Sequence, residues 1–323
     1  MIEAVVLGRV GVDLTPVEPR TSLAAASSFV RAVGGFAGNV GTGLARLGIS
    51  TAILSSVGED GHGDHVRSFL AAEGIDVSGL VRRPDTRTQV AFFEAWPPDR
   101  FPVTFYRLQP PPETMLTLDE IGRVPFFDTP MAVVSATMLA AEPARTAVLT
   151  ALGRRATTRG VGGGLGTSTT ILDLDWRPSL WEDPGEAPGL IAQALPSVDV
   201  VVGGDDEFAA ARLDPAAALD GGPGIVALKH GPDGVSIVTR SGRRRLEGRP
   251  VEVVCGLGSG DAFLAAFAAG LYRGDDPAVA AARGDAAGAI VASRLMCSIA
   301  MPRPSEIDGM LEGRPPAPRE VTV

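Results

Sequence analysis

From Cys255 to Phe263 the chain reads CGLGSGDAF, and the apolar run AFLAAFAAGL follows Asp261 directly. The preceding VEVV (251–254) reads as a strand and the apolar run as a helix, so Gly258, Ser259 and Gly260 fall at a strand-to-helix turn. The first amides of a helix have no partner within it, and the macrodipole draws anions to that end. Glycines let an anionic group come close to the backbone. Asp261 then has two readings. It is an N-cap or first-turn acid favoured by the dipole. Or it is a general base that takes the proton of a nucleophilic hydroxyl while the amides stabilise charge on a transferring phosphoryl group. A turn that only held phosphate would gain nothing from an added negative charge.

Strands and helices alternate outward from this stretch. IEAVVL (2–7) reads as a buried strand, with Asp13 just past its end. GGFAGNVGTGLARLG (34–48) reads as a helix, with Val40, Leu44 and Leu47 at i, i+4 and i+7. Gly41 and Gly43 each cost such a helix about 1 kcal/mol relative to Ala, so close packing against them is expected. TAILSSVG (51–58) is a strand and DHVRSFLAAEG (64–74) a helix. Further strands are read in MAVVSATML (131–139), TILDLDW (170–176), VDVVVGG (198–204), GIVALKHG (224–231) and VSIVTR (235–240). Helices are read in ARTAVLTALGRRA (144–156), GDAFLAAFAAGLYRG (260–274) and PAVAAARGDAAGAIVASRL (277–295). Buried strands alternating with helices imply an α/β fold, a mostly parallel sheet covered on both faces.

One region departs from this alternation. TQVAFFEAWPPDRFPVTFYR (88–107) has no helical period and is rich in aromatic residues. It reads as two strands joined through Pro97 and Pro98, the second placing Val103, Phe105 and Arg107 on one face. Together with the poorly helical 9–33 it is expected to form a small β lid, spanning about 9–33 and 88–115, within a single domain covering 1–323 whose remainder is the core. GVGGGLGTSTT (160–170) has its glycines between a helix and a strand, the reverse of a dinucleotide fingerprint, and is expected to be a flexible loop.

Composition narrows the function. Of 323 residues, 45% are hydrophobic and 21% charged, as in a globular protein with a sizeable core. The net charge of −9 argues against nucleic acid as a partner, though a few arginines in a cleft can still bind a small anion. Two cysteines, Cys255 and Cys297, are too few for a disulfide framework or a thiolate metal site. His62 and His65 with Asp60 and Asp64 are expected to form a solvated turn rather than a metal site. The N-terminal stretch lacks the basic region and cleavage site of a signal peptide, and no apolar run approaches the roughly 20 residues that span a bilayer. A cytoplasmic location without membrane contact is expected.

CGLGSGDAF resembles the C-terminal signature of the ribokinase/PfkB carbohydrate kinase family, D-T-x-G-A-G-D-x-F, keeping G-x-G-D and the phenylalanine. GGFAGNVGTGLARLG is similar to the family's N-terminal signature, VGEDGHG (57–63) to its V-G-x-D-x-x-G, and LKHGPDG (228–234) to its nucleotide-side G-x-x-G turn. The matches run in order along nearly the whole chain. The resemblance implies a ribokinase-like three-layer α/β/α core with a β lid, using ATP and Mg2+. GRVGVDL, FFEAWPPDRFPVTFYR, LDLDWRPSLWED, EVVCGLGSGDAF and GAIVASRLMCSIAMP resemble the branch that phosphorylates keto-deoxy sugar acids, 5-dehydro-2-deoxygluconate foremost. The alternatives are 2-keto-3-deoxygluconate or another sugar, as in fructokinases.

Carried over by position, the resemblance makes Asp261 the base and Gly258, Ser259 and Gly260 the anion hole. It places Asp13, Gly34, Gly35 and Asn39 on sugar hydroxyls and Phe105 beside the sugar. Arg107 and Arg177 fall near a substrate carboxylate, a role suited to the planar two-pronged guanidinium. Lys229, Gly231, Gly234 and Glu207 fall on the nucleotide side, with Glu207 and Asp205 toward magnesium. Asp261 needs no raised pKa for this chemistry, since the hydroxyl proton moves late in a loose transition state.

Three departures stand out. The family's N-x-x-E reads GDDE, with Gly204 in place of asparagine, so the magnesium network loses an amide. Cys255 replaces an aspartate that serves a monovalent-cation site in some relatives, which puts potassium activation in doubt. Ser259 replaces alanine but keeps its backbone amide. Lid pairing in relatives implies a homodimer. Two rivals remain: a weakly active sugar-binding regulator on the same fold, and a nicotinamide oxidoreductase. The latter is disfavoured because Gly8 and Gly11 lead into VDLTPVEP and not into a helix.

Overall fold

Eight consecutive buried positions in TAILSSVG, and fully buried runs such as AVVL and MAVVS, can satisfy their backbones only inside a sheet covered on both faces. A computed structural model describes residues 1–158 and 168–314 of the chain. Its strands are β1 (Ala4–Leu7), β2 (Gly11–Pro16), β3 (Phe29–Gly34), β4 (Thr51–Gly58), β5 (Leu80–Arg83), β6 (Val90–Phe93), β7 (Val103–Tyr106), β8 (Met131–Ser135), β9 (Thr169–Asp173), β10 (Val200–Gly204), β11 (Ile225–Lys229), β12 (Val235–Thr239) and β13 (Gly242–Leu246). The helices are α1 (Phe36–Arg46), α2 (Gly61–Ala72), α3 (Leu118–Ile121), α4 (Ala144–Thr158), α5 (Ala187–Ala194), α6 (Asp205–Ala210), α7 (Ser259–Tyr272), α8 (Pro277–Ala292) and α9 (Pro304–Leu311).

Nine strands form the central sheet in the order β13-β12-β11-β10-β9-β8-β1-β4-β5. All pairs from β11 through β5 are parallel, and β12 and β13 add an antiparallel hairpin. One face packs on α1, α2, α7, α8 and α9, with Val6, Ile53 and Val133 against Leu44, Leu70 and Phe267. The other packs on α3 to α6, with Leu7, Leu54 and Val134 against Ile121, Val148 and Phe208. This is the expected three-layer α/β/α core. After β1 the chain moves to β4 and β5 on one side, then returns to β8 and continues on the other. The order therefore reverses between β1 and β8, and ligands of open α/β sheets gather at such a point.

A second sheet, β3-β2-β6-β7, stands apart. Its β2–β3 and β6–β7 pairs are antiparallel and β2–β6 is parallel. Val30, Ala32 and Phe93 pack it onto Cys255 and Met296.

α7 is apolar nearly all round, with every position from Ala262 to Leu271 buried, as suits a helix enclosed by α1, α8 and the sheet. Gly43 makes this packing possible: a Cβ there would lie 2.6 Å from that of Ala265. VEVV is not a strand, contrary to the sequence reading. The amides of Val254 and Cys255 donate to the Ala292 carbonyl at the end of α8 (2.8 and 3.1 Å), so a helix terminus satisfies them and not a ladder. β8 also stops at Ser135, followed by a 3-10 turn over Ala136–Leu139. β5 and β13 give no apolar run in the sequence, because LVRR and GRRRL are rich in arginine. Of the glycine-rich 160–170, residues 160–167 lie outside the described residues and Thr169 and Thr170 begin β9. Asp60 caps α2 by accepting from the Gly63 amide at 2.8 Å.

Candidate active site

A cleft of about 600 Å³, part of it open to solvent, lies between the small sheet, the carboxyl ends of the parallel strands and the start of α7. Of the residues expected at the site, Asp13, Gly35, Asn39, Phe105, Arg177, Gly258 and Asp261 line it. Arg9, Gln89 and Cys297 line it as well, and the sequence reading assigned them nothing.

The start of α7 is held by Gly258, whose φ of 82° is left-handed and whose absent Cβ would sit 3.1 Å from that of Cys297. The Gly258 carbonyl accepts the Ala262 amide at 2.9 Å and the Gly256 carbonyl accepts the Ser259 amide at 3.4 Å, which leaves the Gly260 and Asp261 amides at the helix end without a partner inside the helix. Asp261 projects from this first turn, and its Oδ2 accepts from Asn39 Nδ2 at 2.7 Å. Burial, reinforced by the nearby charge of Asp175, pushes its carboxyl up to about 6; Asn39 and Arg9 pull the other way.

Asp13 enters from β2. A side chain at Gly34, its neighbour on β3, would fall 2.0 Å from the Asp13 carboxylate, so glycine is needed there. Gly35 has a left-handed φ of 80°, and a Cβ there would lie 2.7 Å from the Arg9 carbonyl oxygen. Burial pushes Asp13 up to about 6, against a hydrogen bond from Cys297 and the charge of Arg9. Burial and the charge of Asp13 hold the Cys297 thiol well above its usual range, so it stays protonated and able to donate.

Arg9 is buried. Its Nη1 and Nη2 grip both oxygens of Asp175, the latter at 3.2 Å, and Nη1 reaches Thr137 Oγ1 at 3.1 Å. Asp175 also accepts from Ser135 Oγ at 2.7 Å. Despite burial, the Arg9 charge and these bonds hold Asp175 below the usual carboxylate range. The only signals in the sequence were the arginine after β1 and the paired aspartates of LDLDW.

A second cluster sits at the ends of β9, β10 and β11. Lys229 Nζ lies 3.3 Å from Asp173 Oδ2 and 3.7 Å from Glu207 Oε2. It also stands 3.3 Å from where a Cβ on Gly260 would be, so the ammonium faces the first turn of α7. Burial opposes its charge, but Asp173 and Glu207 outweigh it and raise the Lys229 pKa. Burial raises Asp173 to about 7 even with Lys229 beside it. Arg177 joins the two clusters, 3.7 Å from both Asp175 Oδ1 and Glu207 Oε1.

The remaining expected residues lie elsewhere. Arg107 follows β7 and is buried against Glu113; it is not among the residues lining the cleft, though the charge of Arg9 acts on it. Gly231 and Gly234 form the β11–β12 turn with φ of 58° and 95°. Asp205 is exposed and bonds His230 Nδ1 at 2.8 Å. Glu207 caps α6, accepting from the Gly204 amide at 2.7 Å and the Trp176 amide at 3.1 Å. With both oxygens engaged and Asp205 turned to His230, the pair does not fit a protein-held divalent ion. Among the described residues no group of three or more His, Cys, Asp or Glu could hold one. Nor, among them, is any helix long and apolar enough to cross a membrane.

A model of the pfkB family carbohydrate kinases matches residues 1–304. The chain is 31% identical over 312 residues to a 5-dehydro-2-deoxygluconokinase of Clostridium perfringens, covering 93% of this chain and 90% of that one. It is 28% identical over 322 residues to the 5-dehydro-2-deoxygluconokinase of Bacillus subtilis, covering 97% and 96%. Among solved structures, a putative ribokinase II from E. coli in complex with ATP and Mg2+ superposes with a TM-score of 0.84 at 21% identity, covering 97% of this chain and 100% of that one. Fructokinase from Vibrio cholerae O395 with fructose, ADP and calcium superposes at 0.82 with 22% identity, covering 96% and 99%. At such identities the structural matches speak for the fold.

Proposed function

As the chain belongs to the pfkB family of carbohydrate kinases, and is thus a phosphotransferase acting on a sugar, we propose that it moves the terminal phosphoryl group of ATP to the primary 6-hydroxyl of a keto-deoxy sugar acid, 5-dehydro-2-deoxygluconate. One observation carries the reading: Asp261 projects into the cleft from the first turn of α7, aligned by Asn39, beside amides left free by the helix end. The relatives named above support the substrate class.

In this reading Asp261 accepts the hydroxyl proton as the oxygen attacks, and the amides of Gly258, Ser259 and Gly260 meet the charge on the transferring group. Asp13 and Asn39 hold sugar hydroxyls, Gly34 and Gly35 leave room for them, and Phe105 covers the sugar. Arg177 faces the substrate carboxylate. Lys229, Glu207 and the Gly231–Gly234 turn lie toward the nucleotide. Magnesium, which neutralises phosphate charge in this chemistry, is assigned to the nucleotide and not to a protein site. The small sheet acts as a lid that excludes water, so that ATP is not spent on hydrolysis. Its outer face carries Phe29, Phe92 and Tyr106 in edge-to-face contact, and pairing of two such faces would make a homodimer. The cytoplasm is the proposed location.

A coupled ADP assay comparing 5-dehydro-2-deoxygluconate, 2-keto-3-deoxygluconate, fructose and ribose tests the reading. The first should give the highest kcat/KM. No turnover with any of them, alongside tight sugar binding, would replace the kinase reading with a regulatory one.

A further inference from the structure

We infer that Arg9, together with Arg177, receives the substrate's carboxylate, and that Arg9 sets a preference for an acid over a neutral sugar. The inference rests on the kinase reading and names the group within it that selects the substrate class.

Arg9 follows β1 and Thr137 follows β8, so their hydrogen bond at 3.1 Å spans the point where the sheet order reverses. Arg9 lines the cleft there and is only 7% exposed, and its charge acts on both Asp13 and Asp261. Its two terminal nitrogens are fixed on Asp175 and Thr137, which sets the plane of the group. Among the described residues none takes its Nε–H. Arg177 approaches the same Asp175 Oδ1 from the end of β9. Two guanidinium groups therefore face Asp175, and Arg177 reaches Glu207 Oε1 as well, also at 3.7 Å. A planar, immobilised donor edge matches a carboxylate.

The opposite charges work in the same sense. Asp13 and Asp261 line the β2 and α7 walls, so they repel a substrate carboxylate toward the arginines and leave the hydroxyl end facing Asp261. Arg107, paired with Glu113, does not line the cleft.

The test is the ratio of kcat/KM for a sugar acid to that for a neutral sugar of equal chain length, in wild type, Arg9→Lys and Arg107→Lys. Lysine keeps a charge opposite Asp175 but loses the fork. A charge-assisted hydrogen bond lost at this site lowers the ratio by about tenfold or more in Arg9→Lys. Should that variant fail to fold, Arg9→Met with Asp175→Asn removes both buried charges together and should lower the ratio equally. A ratio that holds in the Arg9 variants, or that collapses only in Arg107→Lys, overturns the inference while leaving the kinase reading in place. Wild-type protein that phosphorylates only neutral sugars overturns this inference and the sugar-acid reading together.

Discussion

Replacing Asp261 by asparagine should separate catalysis from stability in opposite directions. The amide cannot take a proton, so turnover should fall by about 10²–10⁴-fold, the usual contribution of a general base. ATP binding should be nearly unchanged, because the helix-end amides remain. Stability should rise. The Asp261 carboxyl moves from 3.8 to about 6 on folding, so between those values the folded state binds the extra proton and stability falls as pH rises. The shift corresponds to roughly 3 kcal/mol lost by pH 7. Asparagine escapes that cost, and its Oδ1 can still accept from Asn39 Nδ2. The variant should therefore melt above wild type at pH 8, by on the order of a few degrees, and the gap should close near pH 4. Coupled ADP release, calorimetric titration with ATP and melts from pH 4 to 8 read the three quantities. Turnover within about tenfold of wild type would refute the base, and a melting difference independent of pH would refute the desolvated carboxylate.

Other expectations follow from the same geometry. Since burial puts both Asp13 and Asp261 at about 6, kcat/KM should rise with pH through a limb near 6 that belongs to the pair and is steeper than a single titration; initial rates from pH 4.5 to 8 would show it. Gly34→Ala drives a methyl group into the Asp13 carboxylate, so the sugar KM should increase about tenfold or more while the ATP KM stays within error. Lys229→Met leaves Asp173 buried without its cation, costing about 3 kcal/mol. Melts should show that loss growing from pH 6 to 9 as the unpaired carboxylate resists ionisation, and the ATP KM should rise.

Much of this arrangement was legible before any coordinates. The start of α7 is readable because glycine needs and apolar period fall in one short stretch, and Asn39 and Asp261 lie in the first turns of helices that open on the same cleft. What was not legible depended on partners distant in sequence. Arg9 and Asp175 are separated by 166 positions, and nothing local distinguishes Arg9 from a surface arginine. Strand alternation puts Arg107 on the face of Val103 and Phe105, but its pairing with Glu113 six residues later has no signal in the sequence. Cys297 reads as a small core residue until Asp13 is seen beside it. VEVV has the composition of a strand, yet the carbonyl at the end of α8 offers its amides a nearer acceptor.

The central claim is transfer of phosphate to a sugar's primary hydroxyl. Proton-coupled 31P NMR of a reaction containing ATP, magnesium, 5-dehydro-2-deoxygluconate and the protein tests it most directly. The account predicts a phosphomonoester resonance split into a triplet by the two protons of a CH2–O–P group, growing in step with ADP. Inorganic phosphate as the sole new resonance, or a phosphoryl group on a secondary carbon, would contradict it.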